Sequence, residues 1–324
     1  MKQQAEPIKS AEEVEQEFRK KCLGEAGISY SAGVALIVLV SALFSLIVGM
    51  SVKFPQDPIS GDTVYPDWYL YLAFLVPQLC LFGAVLLYFL RSKEPLRVVV
   101  KPGKWYYYLI ALALQLGLMF PISELNDLFI KGLEAIGYHG TGVSVPSLEG
   151  WNLLPAILVI AVLPAIFEET LFRGILSRNM HNSGWGLVPT IFLAGTLFSI
   201  YHGSPEQTVY QFISGVCLTF VAVKAGSIFP TILAHFFNNA LVLVLSAAGV
   251  DSLWASLPLG GYIAVLAVSA VLFLGALAFL IFFDRRSVQR GKIKYGKRFF
   301  FTALAGMGIC VIEWVVALIA GFKR

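Results

Sequence analysis

Apolar runs of bilayer-spanning length recur from residue 29 to residue 321, and they constrain this chain more than any other feature. A helix needs about 20 predominantly apolar residues to cross the hydrocarbon core. Nine runs approach or meet that length, approximately 29–52, 68–90, 105–122, 152–176, 186–202, 208–223, 228–248, 259–283 and 299–321, the fifth and sixth being short. Only 14% of the residues are charged, against roughly 25% in ordinary soluble domains, so a soluble fold is set aside. The expectation is an all-α, polytopic transmembrane helix bundle of eight or nine spans. It divides into a polar cytoplasmic N-terminal segment (1–28), N-terminal transmembrane helices with an external loop (29–150), helices carrying the polar site (151–248), and C-terminal transmembrane helices (249–324).

Loop charge sets the orientation, because cytoplasmic loops carry an excess of Lys and Arg. With the N-terminus inside, twenty of the 24 Lys and Arg fall on the cytoplasmic side: five in 1–28, five in 91–104, two in 173–185, Lys224, and seven in 284–298. Lys53, Lys131, Lys323 and Arg324 fall on the other. The loops alternate as they should, giving a multi-pass protein of the cell membrane with its N-terminus in the cytoplasm and its C-terminus outside. Residues 123–150, with Glu124, Asp127 and Pro146, read as an external loop carrying a short amphipathic piece. The first 27 residues lack the apolar core of a signal peptide and read as a solvated or interfacial helix. The basic residues form no single patch, so nucleic acid is not an expected partner. Cys80, Cys217 and Cys310 sit inside apolar runs and Cys22 stands alone, a distribution of small buried side chains rather than of a disulfide framework.

An ionisable side chain within a span is a functional hypothesis by default, since burying its charge in hydrocarbon costs several kcal/mol. The fourth run contains Glu168, Glu169 and Arg173. Glu169 and Arg173 are i and i+4 with the acid first, the favourable order for an ion pair on one helix face. Arg173 lies about 140° around the helix from Glu168 and cannot serve both acids equally. Glu169 is therefore assigned to a structural or tuning pair, and Glu168 is left free. The fifth run ends Phe198-Ser199-Ile200-Tyr201-His202. If the two runs form an antiparallel hairpin turning near Gly184, Glu168 and His202 stand about 24 and 27 Å from the turn, at one level. In the seventh run His235 and Asn239 are again i and i+4 and share a face, with Asn238 about 100° away and free to pack between helices. Taken singly, each histidine reads as well as a satisfied structural residue. Glu313, in the last run, is a further acid without an evident partner.

Glu-Glu-x-x-x-Arg, Phe-x-x-x-His and His-x-x-x-Asn, in that order within apolar helices, resemble the motifs of the CPBP family of CAAX-protease and bacteriocin-processing membrane proteins. The resemblance covers roughly 152–248 and implies an intramembrane endopeptidase entered from the cytoplasmic side. It implies that Glu168 and His202 activate water, that His235 and Asn239 hold the oxyanion, and that Glu169, Arg173 and Phe198 support them. The partners it implies are membrane lipid and a peptide or protein substrate, whether prenylated or a leader peptide. The chemistry agrees: hydrolysis needs a base for water and donors aimed at the developing oxyanion. No cofactor is favoured, but a zinc-dependent version, with Glu168, His202 and His235 as ligands, stays open. A proton-coupled transporter using the same charges as a relay, or a scaffold with little catalysis, are the readings from other classes.

Overall fold

The computed structural model describes residues 9–58, 63–140, 142–250, 256–286, 288, 291 and 293–322. Lys2, Arg290, Lys292, Lys323 and Arg324, which entered the charge count, lie outside the described residues. Among the described residues, nine helices of 15 residues or more make up the fold: α1 Ala11–Ser51, α2 Asp67–Ser92, α3 Trp105–Glu134, α4 Gly150–Asn182, α5 Leu187–Tyr201, α6 Pro205–Ala225, α7 Phe229–Ala247, α8 Leu259–Phe283 and α9 Gly296–Gly321. All but the 15-residue α5 are long and apolar enough to cross a membrane. No strand forms among the described residues beyond an isolated bridge between Gln56 and Thr63. Phe282 and Phe301 are 77% and 76% exposed; on helices of this composition such faces meet lipid tails, for which their exposure is no penalty. The chain is a multi-pass membrane protein.

Two helices run further than the sequence suggests. The polar segment 11–28 is not separate from the first span but continuous with it, in one helix of 41 residues. Ser10 and Glu13 cap its start reciprocally, the Glu13 carboxylate accepting from the Ser10 N–H and the Ser10 hydroxyl accepting from the Glu13 N–H. Gly24 and Gly27 do not interrupt it, because at Gly27 the missing side chain is what admits α9: a Cβ there stands 2.8 Å from the Phe299 carbonyl and the Ala303 nitrogen. The expected loop 123–150 is likewise helical as far as Glu134. Pro121 removes one backbone donor, and the chain beyond it is tied down by Asn126, which donates to the Glu206 carbonyl at 2.7 Å and accepts from the Tyr210 N–H at 3.2 Å.

Contacts between connecting segments sort the helix ends into two sets. At one end the Ser227 hydroxyl donates to the Lys101 carbonyl, the Trp185 indole to the Lys294 carbonyl at 2.8 Å, and Lys224 to the Asp284 carbonyl at 3.1 Å. At the other, the His139 N–H donates to the Gly321 carbonyl at 2.9 Å and the Ser147 N–H to Asp67 at 2.8 Å. Tyr138 is buried there with its hydroxyl on Glu206 at 3.2 Å. Burial first, and then the Glu206 carboxylate, raises this hydroxyl above its ordinary pKa, so it stays a donor.

Two apolar clusters flank the polar residues, one built on Tyr30, Phe172, Phe198 and Phe299, the other on Tyr107, Leu114, Leu218 and Val221. The hairpin α4–α5 turns at residues 183–186, where Gly184 takes a φ of +96°. Between α5 and α6 the backbones meet at Gly195 and Gly215: a Cβ on Gly215 stands 2.9 Å from the Gly195 Cα. Small residues at such a crossing let transmembrane helices pack closely. Gly215→Ala is expected to cost about 1–3 kcal/mol through overpacking, read as a lowered unfolding temperature in detergent, whereas Gly83→Ala on α2, where a Cβ meets nothing within 4 Å, should leave it unchanged.

Candidate active site

The fourth span is an irregular helix, and its irregularity serves the site. A short α-helical stretch, Leu163–Glu169, lies between two π-helical ones, Ile157–Val162 and Thr170–Ser177; such wide turns occur mostly at functional positions. Pro164 has no N–H and so cannot make the i→i−4 bond to the Ile160 carbonyl. That carbonyl is taken instead by the Asn239 amide of α7, which donates to it at 2.9 Å. The Asn239 oxygen accepts from Asn238 at 3.1 Å, so both ends of the amide are assigned and its orientation is fixed. One Nδ2 hydrogen remains.

Glu169 is fully buried, and its Oε1 accepts twice: from Arg173 at 2.6 Å, as the i,i+4 spacing predicts, and from His235 Nδ1 at 2.9 Å. The second bond joins residues 66 positions apart and is absent from the sequence reading, in which Glu169 serves Arg173 alone. Arg173 also donates to the Gly215 carbonyl at 3.3 Å and lies with its guanidinium carbon 4.3 Å from the centre of the Phe198 ring. That ring meets His202 and His235 edge-on, with centroids at 4.8 and 6.2 Å. Phe198 is thus a partition that holds a cation on its face and sets both imidazoles.

His202 follows α5, and its Nδ1 lies 2.8 Å from the Phe198 carbonyl. A carbonyl only accepts, so Nδ1 carries the proton and Nε2 is left with a lone pair. His235 is held in the same sense, its Nδ1 donating to an acceptor, here the Glu169 carboxylate. The histidines differ in the charge of the anchor: His202 is tied to a neutral carbonyl and His235 to a buried carboxylate.

Glu168, His202, His235 and Asn239 line one cavity of about 500 Å³, within the range of ligand sites. Glu168 is 6% exposed and points inward, away from lipid. The cavity also holds side chains that the sequence reading passed over. The Asn238 oxygen accepts from Gln115 of α3 at 3.0 Å and from the Tyr210 hydroxyl of α6 at 2.7 Å. Gln115 carries a legible signal, since amides in apolar spans need partners as ionisable groups do, but its spacing does not point to Tyr210 or Asn238. Asn238 does pack between helices, as its angle predicts. Glu313 does not line the cavity; it sits beside Gly203, in the turn after His202. Glu168, His202 and His235 are competent zinc donors by type, but among the described residues no three His, Cys, Asp or Glu side chains converge closely enough to hold a metal ion.

Removing one member of the buried pair leaves an uncompensated charge. Arg173→Met is expected to destabilise by about 3–5 kcal/mol. The double variant Glu169→Gln, Arg173→Met should recover much of that stability without recovering activity, because the hydrogen bond to His235 is weakened. Thermal unfolding and cleavage, measured on the same preparations, check both statements.

Residues 150–241 match the family model for Rce1-like proteins, described as type II CAAX prenyl endopeptidase Rce1-like. No curated protein and no solved structure matches the chain. The matched segment contains Glu168, Glu169, Arg173, Phe198, His202, His235 and Asn239. Residues 150–241, less than a third of the chain, are thus similar to Rce1-like CAAX prenyl endopeptidase domains, which is consistent with the CPBP resemblance of the motifs.

Proposed function

We propose that the cavity hydrolyses a peptide bond of a membrane-associated peptide or protein by a metal-free mechanism in which Glu168 and His202 activate water and His235 and Asn239 hold the oxyanion. The observation that carries this reading is that Glu168, His202, His235 and Asn239 line one cavity, with each imidazole anchored through Nδ1. His202, tied through Nδ1 to a carbonyl, offers Nε2 as an acceptor for one hydrogen of the water. Glu168 takes the proton as the oxygen attacks the carbonyl carbon. His235, tied through Nδ1 to the Glu169 carboxylate and acting as the imidazolium, offers Nε2–H to the developing oxyanion, joined by the remaining Nδ2 hydrogen of Asn239. As the tetrahedral species collapses, the C–N bond breaks and Glu168 returns its proton to the leaving amine. His202, His235 and Asn239 are each anchored by a hydrogen bond, and Glu168 lines the same cavity.

Glu168→Gln is expected to lower cleavage by about 10²–10⁴-fold, the usual share of general acid–base catalysis. Asn239→Ala should cost about 10²–10³-fold, as for loss of an oxyanion donor. Both proteins should insert and unfold at the wild-type temperature within a few degrees. Comparing membrane proteomes of cells carrying wild type or Glu168→Gln identifies the substrate as an accumulating precursor; equal turnover in the two sinks the assignment. Activity that disappears with a chelator and returns with zinc assigns the same three residues to a metal instead.

A further inference from the structure

The direction from which the cavity is reached follows from charge and topology together. The helix ends tied together by Lys101, Lys224 and Asp284 carry the basic segments 91–104, 178–186, 224–228 and 284–298. None of these segments contributes a residue to the catalytic cavity. Its mouth is built instead at the opposite end, by Val143 and Val145 of the loop after α3 and by Gln207 at the start of α6. Val143 and Val145 are 56% and 42% exposed. Among the described residues that end carries only Lys53 and Lys131 as cations, with Glu124, Asp127, Glu134 and Glu206 among its acids.

Toward the basic end the site is closed. Arg173 and Glu169 are both buried, and beyond them lies a second cavity of about 210 Å³, lined by Lys101, Arg173, Arg178, His181 and Arg286. Glu168 faces one cavity and Arg173 the other, so the Glu169–Arg173 pair is a septum between them. The positive-inside rule places the basic end in the cytoplasm. The cytoplasmic N-terminus and the cytoplasmic entry expected from the sequence therefore cannot both hold.

We infer that the cavity is entered from the non-cytoplasmic end, and that its substrate is a peptide segment already translocated across the bilayer or spanning it, rather than a tail held in the cytoplasm. This rests on the peptidase reading above for the word substrate, though not for the side of entry. Two features favour such a ligand: an apolar rim that includes the exposed Val143 and Val145, and a floor of amides and histidines roughly midway along α7.

Site-directed labelling tests it. The four native cysteines are all buried, so single cysteines at Val143 or Val145 can be read against a low background, with Arg97→Cys marking the basic end. In intact cells a membrane-impermeant maleimide is expected to label Val143→Cys and Val145→Cys fully, with no gain on permeabilisation, and to label Arg97→Cys only after permeabilisation. Bulky maleimide on Val145→Cys should also abolish cleavage of the precursor found with Glu168→Gln. The reverse labelling pattern overturns the inference, and so does complete labelling at both mouth positions that leaves cleavage intact. If Glu168→Gln still cleaves, the peptidase reading fails while the labelling pattern still decides the side of entry.

Discussion

A single carboxylate oxygen, Glu169 Oε1, holds the site together by accepting from Arg173 and from His235 at once. A fully buried carboxylate is expensive to desolvate, and a buried ion pair seldom returns more than it costs in stability. Its return here is positional. Arg173 reaches from α4 to the Gly215 carbonyl of α6 and lies on the Phe198 ring of α5, while Glu169 reaches α7 through His235. Four helices are registered by two side chains. Apolar packing alone tolerates sliding along a smooth helix face; a charged node with three specific partners does not.

The same logic explains the distorted backbone of α4. Regular helices satisfy their own amides and leave nothing for a neighbour. Pro164 releases the Ile160 carbonyl, and the Asn239 amide fills the vacancy while keeping one hydrogen for other use. A backbone carbonyl without its helical partner lets a side chain be pinned in a membrane interior while keeping a donor for other use. The proline and the π-helical turns around it provide that group, next to the acid that faces the cavity.

The site was legible in the sequence where its geometry is local. The pairing of Glu169 with Arg173 and the common face of His235 and Asn239 follow from helical repeat, and the shared level of Glu168 and His202 from rise per residue about a turn near Gly184. What could not be read is non-local or cooperative. The bond between Glu169 and His235 depends on how α7 is rotated against α4. The Gln115, Tyr210 and Asn238 cluster is assembled from three helices, none of whose spacings hints at the others. Helix limits were misplaced where composition changes but hydrogen bonding does not: the charged turns before residue 28 continue the first span, and Pro121 passes within a helix that ends at Glu134.

A peptidase within a bilayer has to admit water and substrate on one side without joining the two aqueous phases. An apolar plug would seal this chain between its two cavities, yet it could not orient a histidine. A buried Arg–Glu pair does both. Its charges meet one another and the Gly215 carbonyl, and the same Glu169 Oε1 that takes Arg173 sets the ring of His235. The residues that close the basic end of the bundle are thus the ones that organise chemistry at the other end, and sealing and positioning become one structural requirement.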